Sequence, residues 1–248
     1  MSVGMFGNIS SGEVRDVHLK NGNVTGGLQT GMLSGQNGPS SQIMKVHVTG
    51  NVTGAGMTGG LVGNNDGTIG SSSSSATVGG VDEVGGLVGR NGMGSVTEAV
   101  YATGSVSGNS HIGGLIGSNT GLVYNAYATG QVDGQFNIGG LVGHNDMNSQ
   151  VNLSFAAGSI TGMDFVGGLV GRNESGKVND SYAIGSVDGR YDVGGLVGRN
   201  IGDIKTTYAV GSVTGSGEVG GLVGREFGTV TSSFYNKETT GQSDTGKG

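Results

Sequence analysis

The chain has no cysteine and a single proline in 248 residues, and charged residues make up only 12% of it. Without cysteine there are no disulfides and no thiolate-ligated metals, although the absence says nothing firm about compartment. The low charge, 18 acids against 12 bases, is scattered rather than clustered. No basic stripe is present to neutralise phosphates, which argues against a nucleic-acid partner. No apolar run approaches the roughly 20 residues of a membrane-spanning helix, so membrane insertion is not expected. The opening residues Met1-Ser2-Val3-Gly4-Met5-Phe6-Gly7 have neither the basic start nor the apolar stretch of a signal peptide and lead directly into the pattern described next.

Glycine is abundant instead, at 57 residues. With one proline and no three-residue period, collagen is excluded. Disorder would need few aliphatic residues and much charge, and here Val, Leu and Ile recur at fixed intervals. Seven segments read Gly-Gly-Leu-(Val/Ile)-Gly, with leucines at Leu61, Leu87, Leu115, Leu141, Leu169, Leu196 and Leu222, spaced 26 to 28 residues apart. Degenerate copies at Met5-Phe6-Gly7 and Leu33-Ser34-Gly35 each lie 28 residues upstream of the next, which makes nine copies. A second register follows each motif, as in Val100-Tyr101-Ala102-Thr103-Gly104 and Ser181-Tyr182-Ala183-Ile184-Gly185.

Short Val/Thr/Tyr segments punctuated by glycine predict strands, and glycine every few residues disfavours helices by about 1 kcal/mol each. A period of about 27 residues fits three short strands and three turns. One such unit cannot bury its apolar face alone but can do so when stacked on its neighbours. The expected fold is all-β, a parallel β-solenoid of about nine coils, right-handed in the usual sense of parallel connections. With coils ~4.8 Å apart it would rise about 43 Å. A sandwich or barrel is the rival, but neither repeats its sequence so regularly. Residues 1–235 form the array, and 236–248 a closing segment or tail.

The repeated positions carry distinct expectations. The double glycines allow a bend or a close approach that a Cβ would block. Asn65, Asn91, Asn119, Asn145, Asn173 and Asn200 recur two residues past the motif and suit a stack of amides at a turn. The preceding position holds Arg172, Arg199 and Arg225 in consecutive coils. This column is expected to be solvated and balanced by acids such as Glu174, Glu226 and Asp203, with anion contact as the sharper alternative. Strand alternation sets Tyr101, Tyr127, Phe155, Tyr182, Tyr208 and Phe234 opposite the small apolar positions. These six form either an outward aromatic stripe, suited to glycans or a neighbouring molecule, or a folded-in corner of the core.

Catalytic signatures are lacking. The four histidines, His18, His47, His111 and His144, are far apart in sequence without metal-ligand spacing. Asp133, Asp164, Asp188 and Asp192 are the nearest approach to a carboxylate wall, but equivalent coils carry Ser107, Thr161 and Thr214, so the grouping is thin. A mixed Thr/Ser/Gly/Asp column does not make an ice-binding row. Six Asn-x-Ser/Thr sequons, beginning at Asn8, Asn23, Asn51, Asn152, Asn173 and Asn179, are weak indicators of glycosylation in so polar a chain. No enzyme activity and no cofactor are expected.

The Gly-Gly-Leu-Val-Gly core followed by Tyr-Ala-Thr-Gly-x-Val closely resembles the GLUG-motif repeat, in both registers and through most of residues 1–235. The stretch Ser233-Phe234-Tyr235-Asn236-Lys237-Glu238 resembles the segment that closes such arrays. Such repeats occur in large secreted or surface-attached bacterial proteins, including haemagglutinin-like adhesins and some IgA-cleaving peptidases whose catalytic machinery lies elsewhere. The resemblance therefore implies an extracellular or cell-surface spacer or adhesive segment without a defined ligand. The partners expected are neighbouring domains of a longer chain or glycans. Open solenoid ends would also allow copies of the chain to stack head to tail.

Overall fold

The computed structural model describes residues 1–243, and the last part of the expected closing segment, 244–248, lies outside them. Every strand pairing among the described residues for which a register is given is parallel, and each joins a strand to its equivalent one coil away. A nine-stranded sheet takes one strand from each coil, from Ser2–Val3 and Gln29–Gly31 through Asp82–Gly85 and Ser110–Gly113 to Val219–Gly220. The remaining strands form a second, continuous sheet that closes the coil. The protein is a parallel β-solenoid of nine turns.

The coil is more finely divided than three strands. A middle coil reads Ser110–Gly113, Ile116–Asn119, Leu122–Tyr124, Tyr127–Ala128 and Val132–Asp133, five strands in all. The extra breaks have a local cause. At one corner a non-glycine residue adopts the left-handed conformation in coil after coil, as at Ala99 (φ 52°), Asn125 (φ 50°) and Leu153 (φ 49°). A second left-handed column occurs at Glu83, His111, Asn137, Phe165 and Asp192. Each such residue costs of order 1–2 kcal/mol. The coils above and below adopt the same turn, so ladder pairing resumes immediately after it. The first two coils carry the same corner, at Asp16 and Lys45 (φ 55° each), yet Phe6–Thr25 and Ser34–Thr53 run side by side as 20-residue strands with register shifts. Their register, Phe6 on Ser34 and Ser34 on Val62, places both degenerate copies in line with the rest.

The interior is a set of apolar columns. Leu61, Leu87, Leu115, Leu141, Leu169, Leu196 and Leu222 are all buried, as are the valines and isoleucines that follow them. A buried leucine contributes about 1.5–3 kcal/mol relative to an exposed one, and here each is covered by its own repeats above and below. The double glycine serves the narrowness of this core. A Cβ on Gly140 would lie 2.1 Å from the Gly168 carbonyl oxygen and 2.9 Å from the Ala156 methyl. Gly86 faces Ala102 and Gly195 faces Ala209 in the same way. The two registers of the repeat therefore answer one another across the coil: a glycine on one wall admits an alanine from the other.

The two ends differ. In the last coil Tyr235 takes the alanine position, opposite Ala209, and its ring lies over Gly221. A helical turn, Lys237–Thr240, follows, capped by the Asn236 side chain, which accepts from the amides of Glu238 and Thr239. Gln242 Nε2 then donates back to the Val213 carbonyl at 2.9 Å. The closing segment thus folds over the end of the core. At the other end the apolar residues of the first coil, Val14, Val17, Leu19 and Val24, are only partly covered.

Candidate functional site

Three columns outside the leucine core carry polar or aromatic chemistry, and each runs the length of the array. The first is the asparagine column, which is wholly buried. Asn37 Nδ2 donates to Asn65 Oδ1 at 2.7 Å, and the same bond repeats through Asn91, Asn119, Asn145 and Asn173 to Asn200 at 2.7–2.9 Å. Most members also hold their own turn: Asn119 Nδ2 donates to the Gly121 carbonyl and its Oδ1 accepts from the Gly121 amide. Every amide dipole points the same way, toward the C-terminal end. The chain of donors ends at Glu226, whose carboxylate accepts from Asn200 at 2.9 and 3.1 Å. Burial pushes the Glu226 carboxyl above its usual range, partly offset by the hydrogen bonds from Asn200 and from the backbone of Gly228 and Phe227. Asn173, the start of a sequon, is sealed inside this ladder.

The second column is aromatic and faces outward. Tyr101, Tyr127, Phe155, Tyr182 and Tyr208 stack with ring centroids 4.8–5.0 Å apart and planes within 2–6° of parallel. Phe234 continues the column by register and is 69% exposed. The rings alternate with the buried alanines, so the stripe lies on the outer wall rather than in a corner of the core. Partial burial, and next the adjacent ring hydroxyl, raise the phenols of Tyr127 and Tyr182. Because the rings are parallel, each covers part of its neighbours' faces, and what remains to solvent is largely edges and hydroxyls.

The third column contains Arg172, Arg199 and Arg225, which pair in register in consecutive coils. Glu174 binds Arg172, as expected, but Glu226 and Asp203 do not balance this column. Glu226 closes the amide ladder, and Asp203 lies opposite Lys177 on another wall. The second left-handed column supplies the missing partners. Asp192 reaches Arg225 at 3.4 Å, and Arg199 lies over the ring of Phe165 at 5.5 Å and that of Phe227 at 5.1 Å. His111 meets His144 with ring centroids 5.1 Å apart, and Ser118 works against the burial that raises the Glu83 carboxyl. In all four pairs a left-handed residue interacts with the arginine-column residue of the following coil. Burial, and next the neighbouring His111, lower the pKa of His144, while Asp146 and Glu174 oppose them. Asp192 is raised by burial, against the pull of Arg225 and Arg199.

Sequence reasoning missed this diagonal pairing. The signal was present as a recurring separation of 33 to 35 residues, one coil plus about seven, between Glu83 and Ser118, His111 and His144, Phe165 and Arg199, and Asp192 and Arg225. The histidines, distant in sequence, form two spatial pairs, His18 with His47 and His111 with His144. Among the described residues no group of three or more potential metal ligands converges. Nor do Asp133 and Asp188 gather: Thr161 separates them, and Asp188 instead accepts from the Thr214 hydroxyl at 2.7 Å.

One complete coil, with its turn of Gly-Gly-Leu-Ile-Gly, its ladder asparagine and its outward tyrosine, falls within residues 108–133. Those residues match the family model of the GLUG motif. A GLUG motif is thus one turn of this solenoid, and the same columns recur in register in its neighbours. No curated protein and no solved structure matches the chain.

Proposed function

We propose that this GLUG-containing solenoid is a stiff spacer with an adhesive outer wall, part of a bacterial protein that works at the cell surface or after secretion. A repeat-type structural domain is what the motif and the fold describe. The observation that carries the adhesive reading is the outward ring stack from Tyr101 to Tyr208. The core does not need these rings, because the alanines beside them fill the interior. The reading assigns no catalytic step to the chain. Its contacts are made by length, rigidity and exposed wall residues, with neighbouring domains of a longer chain or glycans as partners.

Self-assembly by head-to-tail stacking is the competing reading, favoured by the half-covered apolar residues of the first coil. Tyr235 and the Lys237–Thr240 turn oppose it, since they cover the face onto which the next copy would add. Electron microscopy of the purified protein over a concentration series separates the two. Isolated short rods at every concentration are expected for a spacer. Filaments with one subunit per nine-coil rise would replace that reading with a fibre subunit.

A further inference from the structure

The ring stack offers a neighbouring protein surface its edges and hydroxyls, but it is not built to stack a sugar ring. A sugar packs best against an uncovered aromatic face, and here neighbouring rings cover one another. The wall one strand earlier in the chain is different. A groove of about 590 Å³ runs along it across four coils, from Gln150 to Thr231.

We infer that this groove is a binding site for a neutral oligosaccharide lying along the solenoid axis; the inference rests on the adhesive reading above. Its lining is polar and electrically balanced, with Lys177 and Lys205 set against Asp180 and Asp203. An anionic polymer would meet the two carboxylates and a cationic one the two ammonium groups, whereas a neutral polyhydroxylated chain can use all four. The amides are already oriented: Asn179 Nδ2 donates to Asn152 Oδ1 at 2.9 Å, and Asn152 Nδ2 donates to Gln150 Oε1 at 3.3 Å. Fixed donors and acceptors bind hydroxyls without first losing rotamer freedom. Thr206, Thr229 and Thr231 add hydroxyls along the same groove. The floor includes Ile204, which is buried within the coil. The rows are not copies of one another, since Gln150, Lys177, Asp203 and Thr229 share one register position and Asn152, Asn179, Lys205 and Thr231 another, but the groove is continuous across them. That continuous length along the axis suits a linear chain of sugars.

The test is calorimetric titration of the full chain with cellohexaose, maltohexaose and N-acetylchitohexaose. At least one should bind saturably, with an affinity insensitive to added salt, as expected for an uncharged ligand. Asn179→Leu and Lys205→Ala should each weaken it tenfold or more, while Asp188→Asn, outside both the groove and the ring stack, leaves it unchanged. Far-UV circular dichroism melts matching wild type establish that the variants are folded. Failure of all three sugars to bind, or equal binding by the groove variants, overturns the groove. Loss of binding in a ring-stack variant, Tyr127→Ser, with the groove variants unaffected also overturns it, but leaves the adhesive wall standing on the ring stack.

Discussion

The inward and outward faces of the same coils obey opposite rules. Inside, a position keeps one residue type from coil to coil: leucine on leucine, asparagine on asparagine, alanine against glycine. Outside, the exposed column Gln150, Lys177, Asp203, Thr229 changes chemistry at every step. Both faces have the same coil-to-coil spacing. What differs is access to water. A buried amide that loses its neighbour has no substitute, whereas an exposed residue can pair with whatever the adjacent coil offers or with solvent. The interior therefore fixes how coils stack, and the exterior can vary from one coil to the next.

A large effect is expected of a single methyl group at the double glycine. Gly140→Ala would force a Cβ to within 2.1 Å of a backbone oxygen, and neither neighbouring wall can retreat without breaking its ladder. A loss of about 3 kcal/mol or more is expected. Gly79→Ala, whose nearest neighbour would be a serine hydroxyl at 3.7 Å, should be close to neutral. Urea unfolding of the two variants measures the difference, and equal midpoints would refute the account of the glycine–alanine fit.

A loss of similar size is expected from Asn119→Ala. It leaves Asn91 Nδ2 and the Gly121 amide without an acceptor and Asn145 without its incoming bond partner on the N-terminal side of the stack. Each buried group left unpaired costs roughly 1–3 kcal/mol, so the total should exceed that of any single substitution on the ring stack, about 0.5–1.5 kcal/mol. Comparing Asn119→Ala with Phe155→Ala by chemical denaturation ranks the two columns directly.

The smallest effect is on pH dependence. His144 binds its proton less readily in the folded protein than in the unfolded chain. Its contribution to stability is therefore present above the ordinary histidine range and declines as pH falls through that range toward the lowered folded value. Asp192 and Glu226, raised by burial, act in the opposite sense at lower pH: they favour the folded state when protonated, and that advantage fades as pH rises through their raised values. His144→Asn should flatten the fall in stability between about pH 7 and pH 5 without altering the carboxylate limb. Melting temperatures across that interval would show it, and an unchanged slope would place the titrating group elsewhere.

The interior was legible in the sequence because periodicity alone determines it. The leucine spacing gave the coils, and the asparagine offset gave the amide ladder at the correct residues. The ladder's first donor, Asn37, and last acceptor, Glu226, sit in coils that depart from the consensus, and only pairing in space identifies them. The number of strands per coil was not legible, because residues such as Ala99 and Leu153 carry no local preference for the left-handed corner they occupy. Identical corners above and below impose it. The balance of the arginine column was missed for a related reason. Glu174 and Glu226 follow an arginine closely in sequence, whereas Asp192 reaches Arg225 from the preceding coil.

The amide ladder gives the array a direction of growth over evolutionary time. Each interior coil takes a hydrogen bond from the one before and gives one to the one after. Duplicating or deleting a whole coil in the middle leaves every amide matched, so the array tolerates unequal exchange between its repeats. A coil appended after the last one would meet Glu226, which accepts but has no amide proton to pass on, and would need Tyr235 and the closing turn moved aside. A further coil is thus accommodated more readily before the Glu226 coil than after it.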